Sequence, residues 1–439
     1  MMEWTNWSGW VRSQPQNSFK PKSEAEIVAA VRDGAGPVRV VGSGHSFTAL
    51  GETNGTLISL DDFQGVVAAS AKDLTATVRA GSKIHSLGRP LFDAGVGLKN
   101  QGDIDRQAIA GAVGTGTHGT GPALGSLSAE VKAFRLVTPD GQVLECSQAS
   151  NTDVWEAGRV SFGSLGVMSE LTLNVRKAYK LRERNWLMPT VECWRDLAKH
   201  RDGQRHFEFF WFPYADAVLA KSLTETDEDC GPPLTSEQMA ARGERITGDQ
   251  RTFQYCCEVA RLLPGLSGTV QRFFTRAAAG GGSSKARWSH EIFPSPRNIK
   301  FNEMEFAVPA GNGVDCVREI AEVIRARKIA GVYPLEFRFI KGDDSWLSPF
   351  YKRDAVSISV HQYHKQSYDE LFGAAEAIFR RYGGRPHWGK LHTFKAADFA
   401  KLYPRFDDYR ALRKRLDPQG KFLNAHLAGI FGEAYGQAA

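Results

Sequence analysis

Gly114, Gly116 and Gly119 spell G-x-G-x-x-G in the segment GTGTHG, a pattern that in a dinucleotide-binding unit lies between a strand and the helix it opens. Here the chain continues TGPALGSLSAE, placing Gly121, Pro122 and Gly125 where that helix would have to run, and then enters the strand of a hairpin. A Rossmann unit is therefore excluded. What remains is a glycine-rich stretch from Gly97 to Gly125, too long and too apolar for a plain connector and of a kind that is usually functional. Bare backbone amides in such a loop can cradle a pyrophosphate without Rossmann topology.

The surrounding sequence argues for an α+β fold. Ser23 and Glu26 form an S-x-x-E capping signal, which predicts a helix through Ile27, Val28 and Val31 that stops at Gly34 and Gly36. PVRVVGSGHSF reads as a strand running into a glycine-punctuated loop. VVAASAKDLTATVRAG and VKAFRLVTPDGQVLECS alternate on both sides of Lys72-Asp73 and Pro139-Asp140-Gly141, so each predicts a hairpin. SKIHSLGRPLFDAG between them predicts a helix, and in VSFGSLGVMSELTLNV Gly163 and Gly166 permit close backbone approach. These elements make a first domain, residues 1–178. From residue 179 the strands and helices lengthen and aromatic residues increase, marking a second domain over 179–385 before a C-terminal segment, 386–439. Its clearest elements are the strands LEFRFI and DAVSISVHQYH and a helix from Ser367 to Tyr382. Polar segments from Ser222 to Gly248 and from Ala277 to Ser284 interrupt it.

Charge excludes one class of partner. The 55 Lys+Arg and 49 Asp+Glu give a net charge of only +6 over 439 residues, without the run of like charges a nucleic-acid tail carries. No apolar run is long enough to span a bilayer, and MMEWTNWSGW lacks a signal-peptide layout; the expectation is a soluble cytoplasmic protein with no membrane partner. The six cysteines show no C-x-x-C spacing, so no zinc or redox centre, and no other metal, is expected.

Four features carry candidate chemistry. GSGHS sets His45 in a glycine loop at the end of an apolar strand, and GTGTHG supplies the second such loop. LEFRFI puts Glu336 and Arg338 on one strand face and Phe337 and Phe339 on the other, while Ser357, Ser359, His361 and Tyr363 share a face of the next strand. A solvated ion pair and the floor of a polyol pocket both fit that composition. RPHWGKLH gathers Arg385, His387, Trp388, Lys390 and His392, which suits a basic surface loop or a site for a polyhydroxylated ligand. A carbohydrate-binding protein without turnover also remains open on these residues.

Together and in this order, the features resemble the vanillyl-alcohol-oxidase superfamily of flavoproteins, in its aldono-1,4-lactone and alditol oxidase branch, over nearly the whole chain. The resemblance implies a two-lobed FAD-binding domain joined to an α+β cap domain built on an antiparallel sheet. It puts FAD on Val41, Gly42, Ser43, Gly44, His45 and Ser46, with His45 bonded covalently to the C8 methyl of the isoalloxazine. A second flavin stretch would use Gly102, Gly111, Thr115, Gly116, Thr117, His118 and Gly119; a third Gly163, Gly166 and Val167; and Asn424 would join them. HWGK and LEFRFIKGDDSWLSPFYKRD are similar to segments lining the substrate pocket of the lactone branch. They imply Glu336, Arg338 and Lys390 as catalytic residues, and Ser359, His361, His387, Trp388 and Asp103 as substrate contacts. The implied reaction is hydride transfer from a carbinol carbon to flavin N5. Gly102, where a dehydrogenase relative would carry alanine, implies access for molecular oxygen and hydrogen peroxide as a product. Alditol oxidases carry a histidine where the ungapped strand here has Ser359, with His361 two residues on. A sugar lactone is therefore the expected substrate, and an alditol the alternative.

Overall fold

The computed structural model describes residues 3–243, 246–278, 282–295 and 297–435. Asn17–Phe19 (β1), Val38–Val41 (β2) and Thr56–Ser59 (β3) form a parallel sheet in the order β1-β3-β2. The helix Glu24–Asp33 (α1) connects β1 to β2 and buries Ile27, Ala30 and Val31. Its N-cap forms as predicted, since Ser23 Oγ accepts the Glu26 N–H at 3.2 Å. The return half of the capping box shifts by one residue, because Glu26 accepts from the Lys22 N–H at 2.8 Å.

Val66–Ser70 (β4), Thr75–Arg79 (β5), Val131–Val137 (β6), Val143–Ser147 (β7) and Val167–Asn174 (β8) make an antiparallel sheet in the order β7-β6-β8-β5-β4. The two anticipated hairpins are β4-β5 and β6-β7, and the anticipated helix between them is Ile84–Asp93 (α2). Inside the glycine-rich stretch the chain makes a six-residue helix that the pattern did not predict, Ile109–Gly114 (α3). The G-x-G-x-x-G glycines thus end a helix instead of opening one, which removes the geometric basis of a Rossmann site.

The second half is one antiparallel sheet of eight strands: Lys180–Pro189 (β9), His206–Phe212 (β10), Ala217–Glu225 (β11), Ser283–Trp288 (β12), Phe301–Pro309 (β13), Leu335–Ile340 (β14), Ala355–Tyr363 (β15) and Arg385–Pro386 (β16). Their order is β12-β9-β11-β10-β14-β15-β13-β16. Helices Thr190–Gly203 (α4), Gly313–Arg327 (α7) and Asp369–Arg381 (α8) cover its apolar face, where Phe209 stacks on Phe337 and Trp194 meets Phe209 and Trp211 edge-on. A helical hairpin, Gly248–Leu262 (α5) and Ser267–Ala278 (α6), packs beside it on Ile299, Val332 and Tyr363. Of the two polar segments, the first contains the end of β11 and a short helix, Ser236–Ala241, and the second contains the start of β12; residues 244–245 and 279–281 lie outside the described residues. Three helices, Ala396–Leu402 (α9), Phe406–Leu416 (α10) and Ala425–Phe431 (α11), bring the chain back to the first lobe, where the Val38 N–H bonds the Lys421 carbonyl at 2.8 Å. Among the described residues no helix is long and apolar enough to cross a membrane.

Candidate active site

One elongated cleft, open to solvent, runs between the first lobe and the polar face of the eight-stranded sheet, and residues of both line it. Its first-lobe wall is built from glycine loops. The loop after β2 contributes Val41, Gly42, Ser43, Gly44, His45 and Ser46. It is held from outside: Ser43 Oγ donates to the Arg106 carbonyl, Asn6 Nδ2 to the Ser46 carbonyl at 2.9 Å, and the Trp7 N–H to the Gly44 carbonyl at 2.8 Å. Gly44 has φ +67°, a left-handed conformation that favours glycine. Among the described residues, the N–H groups of Ser43, Gly44, His45 and Ser46 donate to no protein acceptor. Such a set of bare amides is what an anionic group requires.

Gly102, Gly111, Thr115, Thr117 and His118 form a second wall segment, and Gly163, Gly166 and Val167 a third. A Cβ at Gly111 would have nothing within 4 Å, so this glycine leaves a flat approach to the cleft. Arg39, which the sequence reading missed, joins the strand before the first segment to the third segment and to the C-terminal part of the chain. Its buried guanidinium donates to the carbonyls of Leu50 at 2.8 Å, Phe162 at 2.7 Å, Gly163 at 3.0 Å and Phe422 at 2.6 Å. Burial without a carboxylate partner lowers its pKa to about 10. A charged residue inside the apolar strand VRVV was the available signal.

Three expected cofactor contacts lie elsewhere. Gly116 and Gly119 do not line the cleft: a Cβ at Gly116 would meet Pro349 Cδ at 3.2 Å, and one at Gly119 would meet Asn100 Oδ1 at 2.4 Å, so these glycines serve loop packing. Asn424 caps α11, accepting the Leu427 N–H at 2.9 Å, while its amide donates to the carbonyls of Ala49 and Glu52, each at 2.8 Å. Its role is to hold a supporting turn.

His45 faces the cleft, with its ring 5.6 Å from that of Trp7, and neither ring nitrogen has a hydrogen-bond partner among the described residues. Burial, reinforced by the positive field of Lys390, Lys83 and Arg106, lowers its pKa to about 4. The imidazole is therefore neutral and keeps a free lone pair.

The opposite wall is the polar face of β13, β14 and β15. Cross-strand register aligns Glu336 with Ser359, Ser359 with Glu305, and His361 with Glu303. The face is covered: Glu336 is 4% and Arg338 8% exposed, which overturns the solvated ion pair as an explanation. Arg338 Nη2 lies 3.3 Å from Glu336 and 3.8 Å from Glu305. Lys390 pairs with Glu303 and approaches Glu305. His118 places Nε2 2.7 Å from Glu305 and Nδ1 2.8 Å from the Gly119 carbonyl. Burial opposes the charge on Arg338, yet Glu336 and Glu305 outweigh it and hold its pKa above the ordinary value. Burial likewise opposes ionisation of Glu303 and Glu305, but Lys390 and His361 beside the first, and His118 and Arg338 beside the second, keep both well below the usual carboxylate range. The network is thus charged at neutral pH. Glu303 and Glu305 were not among the expected site residues, although FNEMEF shows the same alternation as LEFRFI.

Several groups remain available to a ligand. Glu336 Oε1, Arg338 Nε and His361 Nδ1 are buried without a protein partner. Burial lowers the His387 pKa to about 4, and its Nδ1 accepts the Gly389 N–H at 3.1 Å, so the ring is neutral with its proton on Nε2. Asp103 lines the cleft, but its carboxylate is already committed to Lys221 at 3.2 Å and Arg297 at 2.6 Å; it tethers the first lobe to the cap. Ser359 lies on the same face between Glu336 and Glu305, buried and with its Oγ unpartnered, but it does not line the cleft. Trp388 is fully buried, stacked on Phe399 and packed on Phe162, with Nε1 donating to the Leu347 carbonyl at 2.6 Å. It belongs to the aromatic core and not to the substrate surface, because both its ring faces and its one donor are occupied. Donor atoms of Glu303, Glu336 and His361 lie within 4.8 Å of one another, but Lys390 and Arg338 already neutralise the two carboxylates, which disfavours a cation there.

The family model described as D-arabinono-1,4-lactone oxidase matches residues 171–430, and that described as FAD binding domain matches residues 15–147. The chain is 36% identical to L-gulono-1,4-lactone dehydrogenase of Mycobacterium tuberculosis over 98% of this chain and 99% of that one. It is 32% identical to L-gulonolactone oxidase of Bos taurus, over 98% of each chain. Among solved structures, a solvent-stable cholesterol oxidase superposes with a TM-score of 0.80 at 18% identity, covering 98% of this chain and 97% of that one.

Proposed function

The chain belongs to the D-arabinono-1,4-lactone oxidase family, and from that premise we propose that it oxidises a secondary alcohol of an aldono-1,4-lactone, with FAD along the glycine loops and molecular oxygen as electron acceptor. The observation that carries this reading is the pairing within one cleft of a bare-amide cradle with a sheet face bearing Glu336, Arg338 and Lys390. FAD, when bound, supplies the hydride acceptor and its reoxidation by oxygen to give hydrogen peroxide.

The chain's own residues do the rest. The amides of Ser43 to Ser46 and the open face at Gly111 hold the cofactor, and Arg39 fixes the Phe162-Gly163 loop of its bed. Arg338 and Lys390 lower the cost of removing the substrate hydroxyl proton by placing positive charge beside the developing alkoxide. Glu336 Oε1 accepts a substrate hydroxyl, while His387 Nε2–H and His361 Nδ1 supply further polar contacts that fix which carbinol is presented. His45, neutral and unpartnered, is the proposed point of covalent attachment. Gly102, which lines the cleft without a side chain, is the proposed basis for oxygen as acceptor. The domain boundaries at residues 178 and 385 belong to the same proposal.

The test is oxygen consumption by the FAD-loaded protein with gulono-, galactono- and arabinono-lactone against xylitol and sorbitol. Turnover of a lactone is expected, and turnover of only the alditols would reject the substrate class. The alditol alternative has the weaker support, since the relatives described above are named for lactones. Reduction of an artificial dye far faster than of oxygen would reject the acceptor.

A further inference from the structure

The sheet side of the cleft holds three carboxylates, Glu303, Glu305 and Glu336, against two long basic side chains, Arg338 and Lys390. A carboxylate buried without a cation is strongly disfavoured, so the balance calls for a third positive group. The residue in direct contact with Glu305 is His118, and it comes from the glycine loop of the first lobe instead of from the sheet.

The geometry at His118 fixes its hydrogens. Nδ1 lies 2.8 Å from the Gly119 carbonyl, which can only accept, so Nδ1 carries hydrogen. Nε2 lies 2.7 Å from Glu305 Oε1. That oxygen also accepts from Ser357 Oγ, and Arg338 Nη2 at 3.8 Å and Lys390 Nζ at 4.0 Å flank the same carboxylate. Burial opposes ionisation of Glu305, but His118 and Arg338 outweigh it, and an ionised Glu305 requires a second N–H at Nε2. The ring that satisfies both acceptors is the imidazolium. His387, with its ring 6.2 Å away, stays neutral, and His361 stands farther from its carboxylates, 3.5 Å from Glu303 and 3.9 Å from Glu336.

His118 is also held in place. Its side chain is 2% exposed and Phe350 packs on it edge-on. The loop behind it docks on the sheet, where Thr120 Oγ1 donates to the Phe207 carbonyl at 2.6 Å and the Gly121 N–H to the Phe339 carbonyl at 2.7 Å. Because both N–H groups are spent on protein acceptors, His118 has no hydrogen bond left for a ligand and acts on the cleft through its charge alone.

We propose that Glu305 holds His118 as a fixed imidazolium where the cofactor bed meets the catalytic face, and that this charge stabilises the negative charge passing from the substrate oxygen to the reduced flavin. The inference rests on the FAD reading above. The carbinol C–H bond breaks and its electron pair leaves as hydride to the flavin, while the hydroxyl proton is released to solvent and a carbonyl forms; neither His118 proton is transferred. Glu305 is a positioning residue, much as a buried carboxylate orients an imidazolium in a catalytic triad.

The test uses the FAD-loaded full chain. In nitrogen-15 spectra of histidine-labelled protein at pH 7, the signal that H118Q removes should show both ring nitrogens protonated. E305Q should convert it to a neutral ring, since the amide keeps the shape of the carboxylate and donates to a bare Nε2. H118Q should shift the flavin reduction equilibrium on the order of tenfold towards the oxidised form, about 30 mV for a two-electron couple. H118Q with E305Q should recover part of that shift by removing the unpaired carboxylate. Anaerobic flavin reduction by gulono-1,4-lactone should slow on the order of tenfold or more in H118Q and in E305Q, with KM little changed. A packing role alone would leave the potential unmoved. A neutral His118 in the parent, or an unchanged potential in H118Q, overturns the proposal; where H118Q fails to retain flavin, E305Q decides by the same spectra and its own potential and reduction rate. Absence of flavin from the parent removes the cofactor reading and this inference with it. Bound flavin that no lactone reduces removes only the substrate class, because the spectra and the potential are measured without substrate.

Discussion

Replacing Arg39 by methionine tests whether one buried cation holds the Phe162-Gly163 loop and the C-terminal segment against β2. The change removes four hydrogen bonds from a charged donor, to the carbonyls of Leu50, Phe162, Gly163 and Phe422. Bonds to a charged group contribute about 1.5 to 3 kcal/mol each. Part of that loss is offset, because a guanidinium buried without a carboxylate costs several kcal/mol of desolvation that methionine does not incur. The net destabilisation is expected to be about 3 to 5 kcal/mol. Unfolding entropy for a chain of this length is about 0.9 kcal/mol/K at the melting midpoint, so Tm should fall by about 3 to 6 °C. Flavin retention should fall further, since the carbonyls of Phe162 and Gly163 lose their anchor beside the cofactor cradle. Calorimetry with and without added FAD, together with flavin absorbance per chain, measures both. Arg39→Lys should recover part of the stability but not the loop geometry, because one ammonium cannot reach four carbonyls. A fall below 1 °C in Arg39→Met with native flavin content would refute the reasoning.

His45→Ala should leave FAD non-covalent, so that flavin fluorescence leaves the protein band after acid precipitation and denaturing electrophoresis; a band that stays fluorescent rejects the linkage. Lys390→Met should slow flavin reduction at least a hundredfold, but it also strips a buried carboxylate, Glu303, of its partner. The double variant with Glu303→Gln should therefore recover stability without recovering rate, and recovery of both would make Lys390 a structural residue only. Gly102→Ala should lower the rate with oxygen while sparing the rate with an artificial dye; unchanged oxygen use would remove the argument for that position. Burial lowers the pKa values of His206, His387 and His392 to about 3, 4 and 3, so below about pH 6.5 the unfolded chain takes up protons first and stability is lost as pH falls towards 4. Urea midpoints that stay constant between about pH 7 and 5 would contradict this. Asp103, its pKa lowered to about 2 against burial by Lys221 and Arg297, adds its own loss only below about pH 4.

Local patterns carried much of the fold. The Ser23 cap, the two hairpins and the alternation of LEFRFI are set by neighbours within a few residues, and each formed as read. The rejection of a Rossmann unit was equally legible, and Gly44 takes the positive φ its residue type favours, whereas Gly116 and Gly119 pack loops away from the cleft. What lay beyond reach was everything fixed by contact between distant segments. Whether Glu336 and Arg338 meet water or a cofactor depends on the first lobe covering that face. Whether Trp388 faces a ligand or the core depends on Phe162 and Phe399, far away in sequence. Arg39 reads as an ordinary strand residue until Phe162, Gly163 and Phe422 close around it. Asp103 reads as a free carboxylate until the cap delivers Lys221 and Arg297. The sequence determined which residues carry charge, turn the chain and alternate across a strand, because those are local chemistry. Tertiary structure alone decided which of those charges are buried together and which remain free for a ligand, because burial and pairing belong to surfaces that the chain assembles only on folding.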